Sequence, residues 1–144
     1  MKIREILRRK GTDVVTVGPD VTVLDAMCRL VDHNIGSVVV VDGGKVRGIL
    51  TERDILRLGA GNPANLATTR VDAAMTADLV VVGPDDDMDY CRHTMTDHRI
   101  RHLPVMEGDE LLGIVSIGDI VKAARRDALS ENRHLKQYIR GEVR

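Results

Sequence analysis

Aromatic residues are nearly missing from this 144-residue chain, which has no Phe, no Trp and two Tyr. Binding of single-stranded nucleic acid usually relies on aromatic stacking platforms, and only Tyr90 and Tyr138 could supply them, so nucleic acid is not an expected partner. Cysteine is as scarce. Cys28 and Cys91 stand alone with no CxxC pair, which argues against a disulfide framework or a thiolate zinc site and predicts two small core residues on helices. Long apolar runs are lacking as well. Val38 to Val41 is typical of the longest stretches and far too short to span a bilayer, and the basic N-terminus has no apolar region behind it. A cytoplasmic protein with no membrane partner is the default expectation.

An excess of either charge is also absent, with 21 Lys+Arg against 22 Asp+Glu and a formal net charge of −1. The balance hides a layout. Residues 1–10 carry Lys2, Arg4, Arg8, Arg9 and Lys10 against Glu5, a local +4, and residues 122–144 carry seven bases and three acids, another +4, leaving −9 for 11–121. Two solvated terminal helices account for this pattern. The five His do not suggest a metal: His98 and His102 straddle a passage from helix to strand, and no HExxH accompanies them. His33 and His98 instead suit helix C-termini, where the dipole favours a cation.

What is present is a repeat. Sliding the chain by 65 residues places Val15, Val17, Gly18, Pro19 and Asp20 on Val80, Val82, Gly83, Pro84 and Asp85. The same register pairs Asp32 and His33 with Asp97 and His98, Ile35 with Ile100, Val40 with Val105, and Gly43 with Gly108. It ends with Gly48, Ile49, Asp54 and Ile55 on Gly113, Ile114, Asp119 and Ile120. So long a run at one offset marks two copies of one unit.

Each copy reads β-α-β-β-α. In the first, Val14 to Val17 is a strand closed by Gly18-Pro19. Asp20 or Thr22 can cap a helix in which Val23, Ala26, Met27, Leu30 and Val31 recur at helical spacing. Ser37 to Val41 and Val46 to Leu50 are partner strands around an Asp42-Gly43-Gly44 turn, and Thr51 caps a helix to about Leu58, stopped by Gly59 and Gly61. The second copy gives a strand at Leu79 to Val82, a helix near Asp87 to His98, strands Leu103 to Met106 and Leu111 to Val115, and a helix from Ser116. Val71 to Met75 is a short leading helix, the counterpart of Ile3 to Leu7. The last helix continues past Leu129 through Leu135, Tyr138 and Ile139, with an apolar stripe available for a partner. A three-stranded sheet covered on one face is too small to stand alone. The fold class is therefore α+β, an α/β sandwich of two β-α-β-β-α repeats packed sheet to sheet with pseudo-two-fold symmetry. That symmetry creates two equivalent clefts where strand ends meet helix N-termini, whose free N–H groups suit phosphates.

The stretches Gly48-Ile-Leu-Thr-Glu-Arg-Asp54 and Gly113-Ile-Val-Ser-Ile-Gly-Asp119 resemble the signature of cystathionine β-synthase (CBS) domains, and the match is tandem over roughly residues 1–125. The resemblance implies repeat 1 at 1–61, a linker at 62–70, repeat 2 at 71–125 and a C-terminal helical extension at 126–144. It implies a regulatory ligand containing adenosine (AMP, ADP, ATP, NAD or S-adenosylmethionine) and no catalytic cofactor. By position, Asp54 and Asp119 would accept from ribose hydroxyls, and Thr51 and Ser116 would donate to phosphate. Main chain at Val15, Thr16, Val80 and Val81 would face the adenine edge, and Ile35, Val38, Ile100 and Leu103 would sandwich its ring. Arg101 and Arg53 would supply one guanidinium to each cleft, from different positions in the two copies, and His102 would reach a phosphate.

No nucleophile with a paired base, metal constellation or P-loop is present, so the protein is not expected to be an enzyme. The preferred expectation is a stand-alone homodimeric sensor acting on a regulated protein partner. The alternative is a ligand-independent interaction module that docks its basic terminal helices on an acidic protein or nucleic acid, with binding that weakens steeply with salt.

Overall fold

Val- and Ile-rich runs bounded by glycine turns become the strands, and amphipathic segments between them become the helices. In the computed structural model, which describes residues 1–139, the order is α1 (Ile3–Lys10), β1 (Thr16–Val17), α2 (Val23–His33), β2 (Ser37–Asp42), β3 (Lys45–Thr51) and α3 (Glu52–Gly61). After a 3-10 turn at Pro63–Ala67 come α4 (Val71–Ala74), α5 (Met88–His98), β4 (His102–Glu107), β5 (Glu110–Ser116) and α6 (Ile117–Ile139). The basic residues beyond Ile139 and the side chains of Tyr138 and Ile139 lie outside the described residues.

The first sheet runs β1-β2-β3, with β1 parallel to β2 (Thr16 opposite Val39) and β2 antiparallel to β3. The second contains only β4 and β5. The strand expected at Leu79 to Val82 reduces to one parallel bridge, Val82 to Val105. Both hairpins carry an irregularity at the same place, between Val40 and Val41 and between Val105 and Met106, so the repeat extends to its bulges. Their turns use Gly43, Gly44 and Gly108 at positive φ, where a Cβ would be strained. Helix α3 does not stop at Gly59. It runs through to Gly61, where the Asn62 N–H closes it on the Leu58 carbonyl, and Leu66 of the 3-10 turn lies within van der Waals reach of a Cβ at Gly59.

Two cores form. One joins Val23, Ala26 and Leu30 of α2 to Val38, Val40 and Leu50. The other joins Cys91 and Met95 of α5 to Leu103, Val105, Val115, Ile120 and Ala123. Strand alternation points Val39, Ile49 and Pro104 to the opposite faces, where they are also buried, as sheets packed face to face require. The leading helices are exchanged between the halves. Ile3, Ile6 and Leu7 of α1 sit in the second core, and Val71 of α4 sits in the first. Backbone bonds fix the exchange: Ile3 N donates to Asp86 O at 3.0 Å, and Val71 N to Val21 O at 2.8 Å. Each leading helix therefore packs against the strands of the other repeat. Cys91 is in the core as expected, and burial, aided by Asp86 and Asp87, pushes its thiol up to about 12. Cys28 is exposed instead, because it falls on the outer side of α2.

Candidate functional site

A cleft of about 530 Å³ opens where the N-terminus of α3 meets segments of the second copy. Its first wall is Ile49, Thr51 to Asp54 and Arg57, and the facing wall is Thr76, Asp78 to Val80, His98 to His102 and Pro104. Thr51 caps α3 in a capping box, with its own N–H donating to Asp54 Oδ2 at 3.0 Å and Asp54 N–H donating to Thr51 Oγ1 at 3.4 Å. One carboxylate oxygen is thereby fixed. Thr76 Oγ1 donates to the other, Asp54 Oδ1, at 3.3 Å, and no cation is paired to this carboxylate among the described residues. A half-buried carboxylate held at a helix N-terminus without a cation can accept from a vicinal diol, and the neighbouring N–H groups suit an oxyanion.

Four arginines, Arg53, Arg57, Arg99 and Arg101, line this cleft, together with the acidic residues Glu52, Asp54 and Asp78. This corrects the expectation of one Arg per cleft. Arg53 comes from the motif helix of the first copy and Arg101 from the helix-to-strand passage of the second, and those two segments face each other across the same opening. Arg53 Nη1 already donates to the Arg99 carbonyl at 3.2 Å. Arg99 holds a left-handed backbone, φ 55, as does its counterpart Asn34, φ 53, and each ends its helix so that the chain turns into the strand.

Of the other expected residues, Val80, Ile100 and His102 line this cleft. Val38 and Leu103 do not: both are fully buried in the helix-side cores. The reason is strand alternation, which turns residue 103 inward and residue 104 toward the cleft. Pro104 is thus a lining residue that sequence reading missed, although strand alternation puts it, one residue from the core positions Leu103 and Val105, on the opposite face. Val81 turns toward solvent at 41% exposure. Val15, Thr16, Ile35, Ser116 and Asp119 do not line this cleft.

At Ser116 and Asp119 the capping geometry repeats. Ser116 N–H donates to Asp119 Oδ2 at 2.9 Å and Asp119 N–H donates to Ser116 Oγ at 3.2 Å. Here, however, Lys10 Nζ lies 2.7 Å from Asp119 Oδ2 and donates also to the Ile114 carbonyl at 2.8 Å. Burial pushes the Asp119 carboxyl up, but the bonds from Lys10 and Ser116, with the Lys10 charge, outweigh it and hold the group below the usual carboxylate range. Sequence reading did not single out Lys10. Its signal is a change of offset: the leading helices superpose with a shift of 68, Ile3 on Val71 and Leu7 on Met75, while the rest superposes at 65. The three extra residues extend α1 to Lys10, whereas α4 ends at Ala74.

His102 sits between the two positions. A Cβ on Gly36 would meet the Glu52 carboxylate and stand 3.1 Å from His102 Nε2, so the start of β2 and the start of β4 converge there. Burial pushes the His102 imidazole down, against the charge of Glu52 and with that of Lys10.

Comparison with known proteins matches the sequence model of the CBS domain to residues 3–61 and 71–126. A mitochondrial CBS domain-containing protein of Arabidopsis thaliana is 35% identical, with 96% of this chain and 72% of that protein covered. The crystal structure of a CBS-domain containing protein from Agrobacterium tumefaciens is 46% identical with a TM-score of 0.84, covering 86% of this chain and 99% of that one. A CBS domain pair solved in complex with 5′-methylthioadenosine and S-adenosyl-L-methionine is 25% identical with a TM-score of 0.78, covering 88% and 98%.

Proposed function

The chain belongs to the CBS-domain family, and from that premise we propose that it is a non-catalytic regulatory module that binds an adenosine-containing ligand in the cleft headed by Thr51 and Asp54. The observation that carries this reading is the pairing, around one opening, of a capping carboxylate bound to no cation among the described residues with four arginines. The carboxylate accepts from the ribose hydroxyls, the main chain at Asp78 to Val80 meets the adenine edge, and Ile100 and Pro104 flank its ring. Arg53 and Arg101 grip phosphate from opposite walls, and bidentate charge-assisted bonds of this kind are the strong ones. A ligand with at least one phosphate, AMP, ADP, ATP or NAD, uses this cleft more fully than S-adenosylmethionine, whose sulfonium is a cation. The adenosine ligands of the solved relative support the general class.

We also propose a homodimer. Leu56 on α3 and Val121 on α6, equivalent positions of the repeat, are 72% and 54% exposed, and Leu24, Val31 and Tyr90 extend the apolar surface on α2 and α5. A second copy covering these side chains relays occupancy of the cleft to a protein partner. None of the described helices is long and apolar enough to cross a membrane.

Calorimetric titration of the full chain with AMP, ATP, NAD and S-adenosylmethionine is the test. A saturable heat with at least one nucleotide is expected, and absence of both heat and thermal shift with all four overturns the reading.

A further inference from the structure

Helix α1 and the first turns of α6, both basic, meet in space. Ile6 of α1 and Ala123 of α6, each 4% exposed, pack in one core. Beside them runs a groove of about 270 Å³ bordered by Arg9, Lys10, Lys122 and Arg126. Asp119 is its one carboxylate, and that group is already taken by Lys10 and Ser116. Among the described residues Arg9, Lys122 and Arg126 form no ion pair, and Lys10, with two of its three donors used on Asp119 and Ile114, keeps one.

Part of this charge is particular to the second copy. At the offset of 65, Lys122 falls on another base, Arg57, but Arg126 falls on Gly61, and α4 has no counterpart of the last turn of α1. Arg8, Arg9 and Lys10 complement the C-terminal dipole of α1. Lys122 and Arg126 have no such account. They lie beyond the first turn of the 23-residue α6 and are four apart, where like charges on a helix repel. An anion between the helices would reverse that penalty.

We propose that the α1/α6 groove is an anion site for a short phosphate chain, separate from the Thr51/Asp54 cleft. Its volume lies just below the range of pockets for drug-sized molecules, about 300 Å³ and upward, which suits a small charged species. Arg9 and Arg126 supply forks for bidentate contact and the two Lys supply point charges. The chain can be a free oligophosphate or the phosphate tail of a nucleotide.

The test is calorimetric titration of the full-length protein with sodium triphosphate, at a low salt of about 50 mM so that exposed charges are little screened. Three proteins are compared: wild type, Lys122→Glu/Arg126→Glu, and Arg53→Ala/Arg101→Ala. All four substituted residues are exposed, and thermal melts check that each variant folds. Triphosphate affinity should fall at least about tenfold in the groove variant, as expected for loss of charge-assisted contacts. The cleft variant loses whatever triphosphate the Thr51/Asp54 cleft takes, but the site that remains in its titration should keep its affinity within about twofold, since no α1/α6 charge is touched, and Lys122→Arg/Arg126→Lys should retain that site. No triphosphate binding to wild type, or a loss confined to the cleft variant, overturns the proposal. An ATP arm identifies the source: weakened ATP binding in the groove variant points to a nucleotide tail, and unchanged ATP binding beside weakened triphosphate points to a free oligophosphate.

Discussion

Thr51 with Asp54 and Ser116 with Asp119 are the same device in two copies of one unit, yet the first carboxylate faces an open cleft and the second faces an ammonium group. The capping bonds agree within a few tenths of an ångström, 3.0 and 2.9 Å from the cap N–H to the Asp. What differs is the neighbour: a neutral Thr76 hydroxyl for Asp54 and Lys10 for Asp119. Internal symmetry therefore guarantees the same local geometry without guaranteeing the same chemistry. Residues brought from outside the motif assign each site its role, and in this molecule three added residues in α1 are sufficient.

The comparison breaks most clearly at the carboxylates. Asp54→Asn should weaken nucleotide binding by about 100-fold, since charge-assisted bonds to a diol contribute roughly 1.5–3 kcal/mol each. Asp119→Asn should change it little. Parallel calorimetric titrations read the contrast, and equal losses would show that the two positions are equivalent after all.

The glycines that open each motif give the next effect. A Cβ at Gly48 would stand 2.7 Å from the Thr76 carbonyl, which is held by Ile49 N–H at 3.0 Å. A Cβ at Gly113 would meet only the tips of the Leu7 side chain, at 2.8 Å. Gly48→Ala should cost about 2–3 kcal/mol and Gly113→Ala about 1 kcal/mol, because backbone yields less than a side chain. Denaturant melts of the two variants measure the difference.

Lys10→Met removes the cation from Asp119, and as a partly buried pair this should cost on the order of 1 kcal/mol at neutral pH. The Asp119 carboxyl is held below its unfolded value, so its contribution is present above that value and is lost as pH falls through the folded one. The stability gap between wild type and variant should thus be constant near neutrality and close below about pH 4. The same variant tests whether the second position can take a ligand: a rise in nucleotide stoichiometry would show that Lys10 is what blocks it.

The smallest effect belongs to His102, between the two positions. Its folded pKa lies below the unfolded value, so the unfolded chain binds the extra proton first. Stability is full above the ordinary value of 6.5 and declines as pH drops below it. His102→Gln should flatten that decline in thermal melts from pH 7 to 5 while leaving the value at pH 7.5 nearly unchanged.

Much of this was legible in the residues. The helix caps Thr51 and Ser116, the glycine hairpins and the α/β order of both copies follow from local propensity, which acts over a few residues. The lining residues Val80, Ile100, Arg101 and His102 followed from resemblance to the CBS family. Val38 and Leu103 were misplaced because apolar character does not tell which face of a doubly covered strand a side chain takes. The third strand of the second sheet was overestimated for a similar reason: Leu79 to Val82 has β-branched character, but only Val82 finds backbone to pair with.

The sequence by itself determined that there are two copies, where each helix starts, and which four residues cap the two motifs, because these depend on short-range sterics and hydrogen bonding. Only the tertiary structure decided that α1 and α4 change places, that Arg53 and Arg101 share one cleft, that Lys10 reaches Asp119, and that Arg9 and Lys10 of α1 border one groove with Lys122 and Arg126 of α6. Each of these joins residues between 48 and 117 positions apart, and such contacts are set by how apolar faces are buried, a property of the packed chain as a whole.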